Sequence, residues 1–262
     1  MNKLEMSRPI LISDLDETLA TKVRQPDGTI DVNINMRLLD IFHRAMLLRA
    51  KGKVDAILLL TNNTNMRLKQ GGRYLELVNL HLVDVYNNTY PDKIQHMNDI
   101  FDMIYTGEPG VARGAPNRTY NLVDNLPTKL YPVVESKPGP SMTGLRFREV
   151  KNIETVRRML GEIQRPISLN SLEGRIYFFD DEPLAHTIKG EIEPKGGSYI
   201  KITPPYGEGE DATDFDPITN VLTELEGQTQ GGGPKASRRM RSSSSRRMRS
   251  SRRSSSTRTQ RR

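Results

Sequence analysis

The chain has 262 residues, 35% of them apolar, no cysteine and a formal net charge of +7. That apolar share suffices for one large core with appendages, and the missing thiols exclude disulfide frameworks, thiolate metal sites and redox chemistry. The charge is unevenly placed: Lys235 to Arg262 holds eleven Arg, one Lys and no acid, so the other 27 basic residues face 32 acidic ones and the body carries −5. No basic segment followed by an unbroken apolar stretch opens the chain, and no run approaches the ~20 apolar residues of a membrane span. A soluble, unsecreted, intracellular protein, cytoplasmic or nuclear and without a membrane partner, is expected.

In chain order, Pro9 to Ser13 is a short apolar run ending on carboxylates, as a buried parallel strand does when its C-terminal end opens on a site. A small flap, such as a hairpin through Asp27-Gly28, fits the fifteen or so residues between Thr18 and the next element. Ile34, Leu38, Ile41, Ala45 and Leu48 recur at helical spacing, and Gly52 follows as a stop signal. Val54 to Leu60 is a second apolar strand, running into Thr61-Asn62-Asn63, and Gly71-Gly72 suggests a kink or break. The spacing of Ile94, Met97, Ile100, Phe101 and Ile104 predicts a second helix, and that of Ile153, Val156, Leu160 and Ile163 a third. Arg175 to Phe179 is a third buried strand ending at Asp180-Asp181. A helix around His186 to Glu191, a last strand over Ser198 to Thr203 and a short helix over 217–226 follow.

Strands alternating with amphipathic helices predict an α/β fold with a parallel sheet, and ligands of such sheets bind beyond the carboxyl ends of the strands. The three polar clusters then converge. Asp14 and Asp16, one residue apart at a strand end, can serve a phosphate and a metal with one carboxylate and a leaving group with the other. The four histidines, His43, His81, His96 and His186, show no metal-ligand spacing.

Asp14-Leu15-Asp16-Glu17-Thr18-Leu19 resembles the first motif of the haloacid dehalogenase (HAD) superfamily, Asp-x-Asp-x-Thr, and the family's other motifs follow in order. Thr61 looks like the second, Lys137 in Lys137-Pro138-Gly139-Pro140 the third, and Asp180-Asp181 the fourth. The resemblance spans roughly residues 8 to 205. It implies a HAD-like Rossmannoid sheet with flanking helices, and a phosphatase working through an aspartyl phosphate.

By that resemblance Asp14 is the nucleophile, while Asp16 protonates the leaving group and then activates water. Mg²⁺ is held by Asp14, the backbone carbonyl of Asp16 and Asp180, with Asp181 as a further or alternative ligand. Thr61 and the backbone N–H of Asn62 bind phosphate oxygens, and Lys137 offsets the negative charge. Lys151 rivals Lys137, standing 29 residues before Asp180 against 43. Lys137 is preferred because Lys-Pro-x-Pro recurs in many members of the superfamily, and because Lys151 is expected on a helix's solvated face.

Below the superfamily the signals conflict. The first motif is similar to that of the phosphatases acting on the RNA polymerase II C-terminal domain, but their Lys-Asp-Leu-Ser motif and any Trp are missing. Thr61-Asn62-Asn63 looks more like sugar-phosphate and pyridoxal-phosphate phosphatases, which carry Gly where Glu17 stands.

The 73 residues between Asn63 and Lys137 leave room for an insert over the site at about 80–128. The phosphohydrolase domain is drawn at 1–227. From 228 to 262 the chain turns to Gly, then to Arg and Ser almost alone, with Ser237–Ser242 repeated as Ser245–Ser250. That composition predicts a disordered tail whose arginines attract phosphate backbones, nucleic acid first. No aromatic stands there, so base stacking contributes nothing, and the serines offer phosphorylation sites that would cancel charge. The expected substrate is a phosphorylated protein or nucleic acid; a virus-encoded origin fits the tail. The competing expectation is a nucleic-acid-binding or packaging protein built on a HAD-like scaffold of low activity.

Overall fold

The protein is described here by a computed structural model, over residues 8–64, 68–107, 117–121, 126–131, 151–182, 187–203 and 213–230. In chain order the strands and helices are β1 (Ile10–Ser13), β2 (Ala20–Arg24), β3 (Ile30–Ile34), α1 (Met36–Ala50), β4 (Ala56–Thr64) and α2 (Tyr74–Thr89). After them come β5 (Met103–Gly107), β6 (Asn117–Asn121), β7 (Leu126–Tyr131), α3 (Ile153–Glu162), β8 (Ile176–Asp180), α4 (Thr187–Ile192), β9 (Ser198–Lys201) and α5 (Asp216–Gln230).

Five parallel strands lie in the order β5-β4-β1-β8-β9, and β6 and β7 extend the sheet antiparallel beyond β5. The parallel strands are continuously apolar because both faces are covered. Leu11, Ile57, Leu59 and Phe179 pack with α1, α2 and α5, while Ile10, Ile12, Leu58 and Phe178 pack with α3 and α4. Alternation along each strand thus feeds two separate cores. The chain order of the sheet reverses between β1 and β8, which makes their carboxyl ends the expected ligand crevice.

The flap is the antiparallel β2–β3 hairpin, and Gly28 takes φ 82° at its turn, a conformation side chains disfavour. Asn35 caps α1 by accepting from Leu38 N, and its amide donates to Thr18 O at 3.1 Å, tying the helix start to the loop after β1.

One expected element is corrected. The helix expected through Ile94–Ile104 is a short 3₁₀ turn, Met97–Asp99, followed by β5. Ile94, Met97, Ile100, Phe101 and Ile104 are all buried, but their helical spacing is a coincidence of a turn followed by a strand. The helix of this region is α2, which buries Leu75, Val78, Leu82 and Tyr86. Of the stretch expected as an insert over the site, the end of α2 and β5 belong to the central layers, and β6 pairs beside β5. The last helix is longer than expected, reaching Gln230. The Arg/Ser segment beyond it lies outside the described residues.

At the amino ends of the strands, the carboxylates are met by guanidinium groups. Arg175 donates to Asp55 at 2.6 Å, and Arg8 stands 3.7 Å from the same carboxylate. Arg165 grips Asp102 with two bonds of 2.8 Å, Arg49 approaches it at 3.0 Å, and Ile57 N donates to it. No helix among the described residues is long and apolar enough to cross a membrane.

Candidate functional site

Asp14 is the first residue past β1, and its N–H still donates to Phe179 O of β8 at 2.9 Å, so it leaves the sheet in register at the crevice. Asp180 is the last residue of β8 and is fully buried. Asp181 is held by Thr18: its N–H donates to the Thr18 hydroxyl at 3.0 Å, and that hydroxyl lies 3.3 Å from the Asp181 carboxylate. One carboxylate oxygen from each of Asp14, Asp180 and Asp181 falls within 4.8 Å of the others, close enough to hold one metal ion. Thr61, buried in β4, hydrogen-bonds the Asp14 carboxylate.

Among the described residues, the cation at these carboxylates is Lys151. Its ammonium donates to Asp180 Oδ2 at 2.7 Å and lies 3.3 Å from Asp14 Oδ1, with only 3% of its side chain exposed. The expectation of a solvated helix face fails for a local reason: Asn152 is the N-cap of α3, accepting from Thr155 N at 2.9 Å. Lys151 therefore precedes the helix and points into the site. Lys137, the preferred lysine of the sequence reading, lies outside the described residues. Asn62 follows Thr61 within β4.

The electrostatics are those of an under-compensated cluster. Burial, reinforced by Asp180 and opposed by Lys151, pushes the Asp14 carboxyl up to about 7. Burial and then Asp180 likewise push Asp181 up. For Lys151, burial works against the charged form, but Asp14 and Asp180 outweigh it and hold the ammonium protonated. Among the described residues these three carboxylates have one buried ammonium, that of Lys151, and it contacts two of them. Asp14 Oδ1 and Asp16 Oδ1 are also buried without a hydrogen-bond partner. Both features suit a bound divalent cation and an incoming polar ligand.

Asp16 faces a different environment. Its carboxylate is not one of the three that converge, and its Oδ2 accepts from Lys22 on the flap at 2.9 Å. Beneath Lys22 lies Tyr74 of α2, with its ring centroid 4.4 Å from the ammonium. The Tyr74 hydroxyl is buried without a hydrogen bond of good geometry, and burial followed by the charge of Asp16 pushes its pKa far up. Glu17 sits in the left-handed region at φ 55°, inside a tight turn closed by Glu17 N to Ala20 O. That conformation favours glycine.

The sequence reading assigned no role to Lys22, Tyr74 or the Thr18 hydroxyl. Thr18 was visible inside the motif, whereas Lys22 and Tyr74 reach Asp16 only through the hairpin and the placement of α2. Two of the described histidines have partners elsewhere: His43 bonds Tyr86 and stacks on Tyr90, and His81 stands 3.2 Å from Asp31.

No protein-family model and no curated protein matches this chain.

Proposed function

We propose that the protein is a Mg²⁺-dependent HAD-type phosphohydrolase acting on phosphomonoesters through an aspartyl phosphate. The observation that carries this reading is the convergence, at the switch point of the parallel sheet, of the carboxylates of Asp14, Asp180 and Asp181, with the Lys151 ammonium on the first two. Hard carboxylate oxygens suit Mg²⁺, which Asp14, Asp180 and Asp181 would hold together with the backbone carbonyl of Asp16. When bound, the ion would neutralise charge on the phosphate and the carboxylates.

In this reading an Asp14 carboxylate oxygen attacks phosphorus, the bond from phosphorus to the leaving oxygen breaks, and Asp16 gives that oxygen its proton. Asp16 then takes a proton from water as the water attacks phosphorus, releasing inorganic phosphate and restoring Asp14. Thr61 orients the Asp14 carboxylate, and the Asn62 N–H and Thr61 take phosphate oxygens. Lys151, in the role first expected of Lys137, favours the ionised form of Asp14 and offsets negative charge as it accumulates. The substrates are phosphorylated protein or nucleic acid, brought near by the basic tail.

The test is hydrolysis of an aryl phosphate with Mg²⁺ by the chain and by Asp14→Asn. The expected loss is at least about a thousandfold, and equal rates would refute the assignment.

The eleven arginines past Lys235 favour a second reading, a nucleic-acid binder on a scaffold of low activity. Truncation after Gln230 keeps α5 whole. It is expected to abolish duplex binding at low salt while leaving aryl phosphate turnover intact; duplex binding without any turnover would favour the second reading.

A further inference from the structure

Among the described residues, two ammonium groups reach the carboxylates of the site, and they reach different ones. Lys151 contacts Asp14 and Asp180, the groups placed around the reacting phosphate, whereas Lys22 contacts Asp16, the group placed beside the leaving oxygen. Lys22 differs in exposure as well, with 30% of its side chain open against 3% for Lys151. An ammonium has three donors, and Asp16 takes one of Lys22's. Among the described residues, the other neighbour of the Lys22 ammonium is the face of the Tyr74 ring.

The position of Lys22 is braced. It stands over the face of the buried Tyr74 ring, and its strand pairs along its whole length with β3. The far side of the hairpin is fastened to the loop after β4: the Gln70 amide donates to Ile30 O at 2.7 Å, and Lys69 donates to Asp27 O at 2.8 Å. The flap therefore holds a cation at a fixed place beside the leaving group.

Resting on the phosphohydrolase reading, we infer that Lys22 is a specificity-determining residue selecting substrates whose leaving group carries its own phosphate, and that the class is the terminal phosphate of a nucleic acid. A phosphodiester next to the departing oxygen would accept a further donor of the Lys22 ammonium in a charge-assisted bond. The eleven arginines beyond Lys235 attract that same backbone, which favours nucleic acid over a multiply phosphorylated peptide.

The experiment uses the full chain with Mg²⁺. It compares kcat/KM for 5′-phosphorylated dithymidylate with that for thymidine 5′-phosphate, alongside the corresponding 3′ pair and serine peptides phosphorylated once or twice. The chain is expected to prefer one dinucleotide over its mononucleotide by about tenfold. Lys22→Ala, whatever common loss it suffers through Asp16, should abolish that preference mainly by raising KM for the dinucleotide, and Lys22→Arg should keep it. A preference unchanged in Lys22→Ala, or one seen with the doubly phosphorylated peptide alone, overturns the proposal. Aryl phosphate turnover without any dinucleotide preference sinks the role of Lys22 and leaves the phosphohydrolase reading standing; no turnover of any phosphate sinks both.

Discussion

The two ends of the parallel sheet bury charge in opposite ways. At the amino ends of the strands, Asp55 and Asp102 are met by four guanidinium groups, and the Arg165 contact is bidentate. At the carboxyl ends, Lys151 meets Asp14 and Asp180, Thr18 holds Asp181, and Asp14 Oδ1 has no hydrogen bond among the described residues. A buried carboxylate is tolerated when its charge is matched and its lone pairs are occupied. The amino end meets that condition by itself. Among the described residues the carboxyl end meets it only in part, and the proposed cation would supply the rest.

The comparison breaks most visibly at the amino end. Arg175→Ala leaves Asp55 buried with Arg8 as a distant partner and should cost about 3–5 kcal/mol in denaturant unfolding. Pairing it with Asp55→Asn should recover much of the loss, and a double variant no better than the single would mean the pair is not the cause.

At the carboxyl end, Lys151→Ala should lower kcat for aryl phosphate by about 10²–10³-fold, with Lys137→Ala below about tenfold. The reverse ranking would return the role to Lys137.

The third effect is smaller and opposite in sign. Folding raises the pKa of Asp14, so the folded state binds the extra proton; the stability this allows is complete below 3.8 and is lost as pH rises through about 7. Asp14→Asn removes that dependence. Without divalent cations the variant should melt roughly 3–6 °C above the parent at pH 8 and close to it at pH 4. A Tm difference independent of pH would show that Asp14 is not held against its charge.

Much of this was legible in the residues, for identifiable reasons. β1, β4 and β8 announced themselves because strands buried on both faces read as unbroken apolar runs, and each ran into the polar residues of the site. The hairpin followed from Asp27-Gly28. β5 was not legible, because Ile100, Phe101 and Ile104 meet a helical template and a strand's burial equally well. α2 had a usable signal in Leu75, Val78, Leu82 and Tyr86, overshadowed by the glycines before it. Lys151 was misplaced by a single position: reading Asn152 as an N-cap takes the lysine off the helix face and into the crevice. Lys22 had no local signal, since its partnership with Asp16 and Tyr74 exists only once the flap folds over the site.

The central claim, that Asp14 carries the phosphoryl group, is tested most directly by acid-quenching the chain during turnover of a ³²P-labelled phosphomonoester with Mg²⁺ and mapping the label. The account predicts a hydroxylamine-labile phosphoryl group on the peptide containing Asp14 and none on Asp14→Asn. Turnover with no label on that peptide, or with the label on another residue, would contradict it.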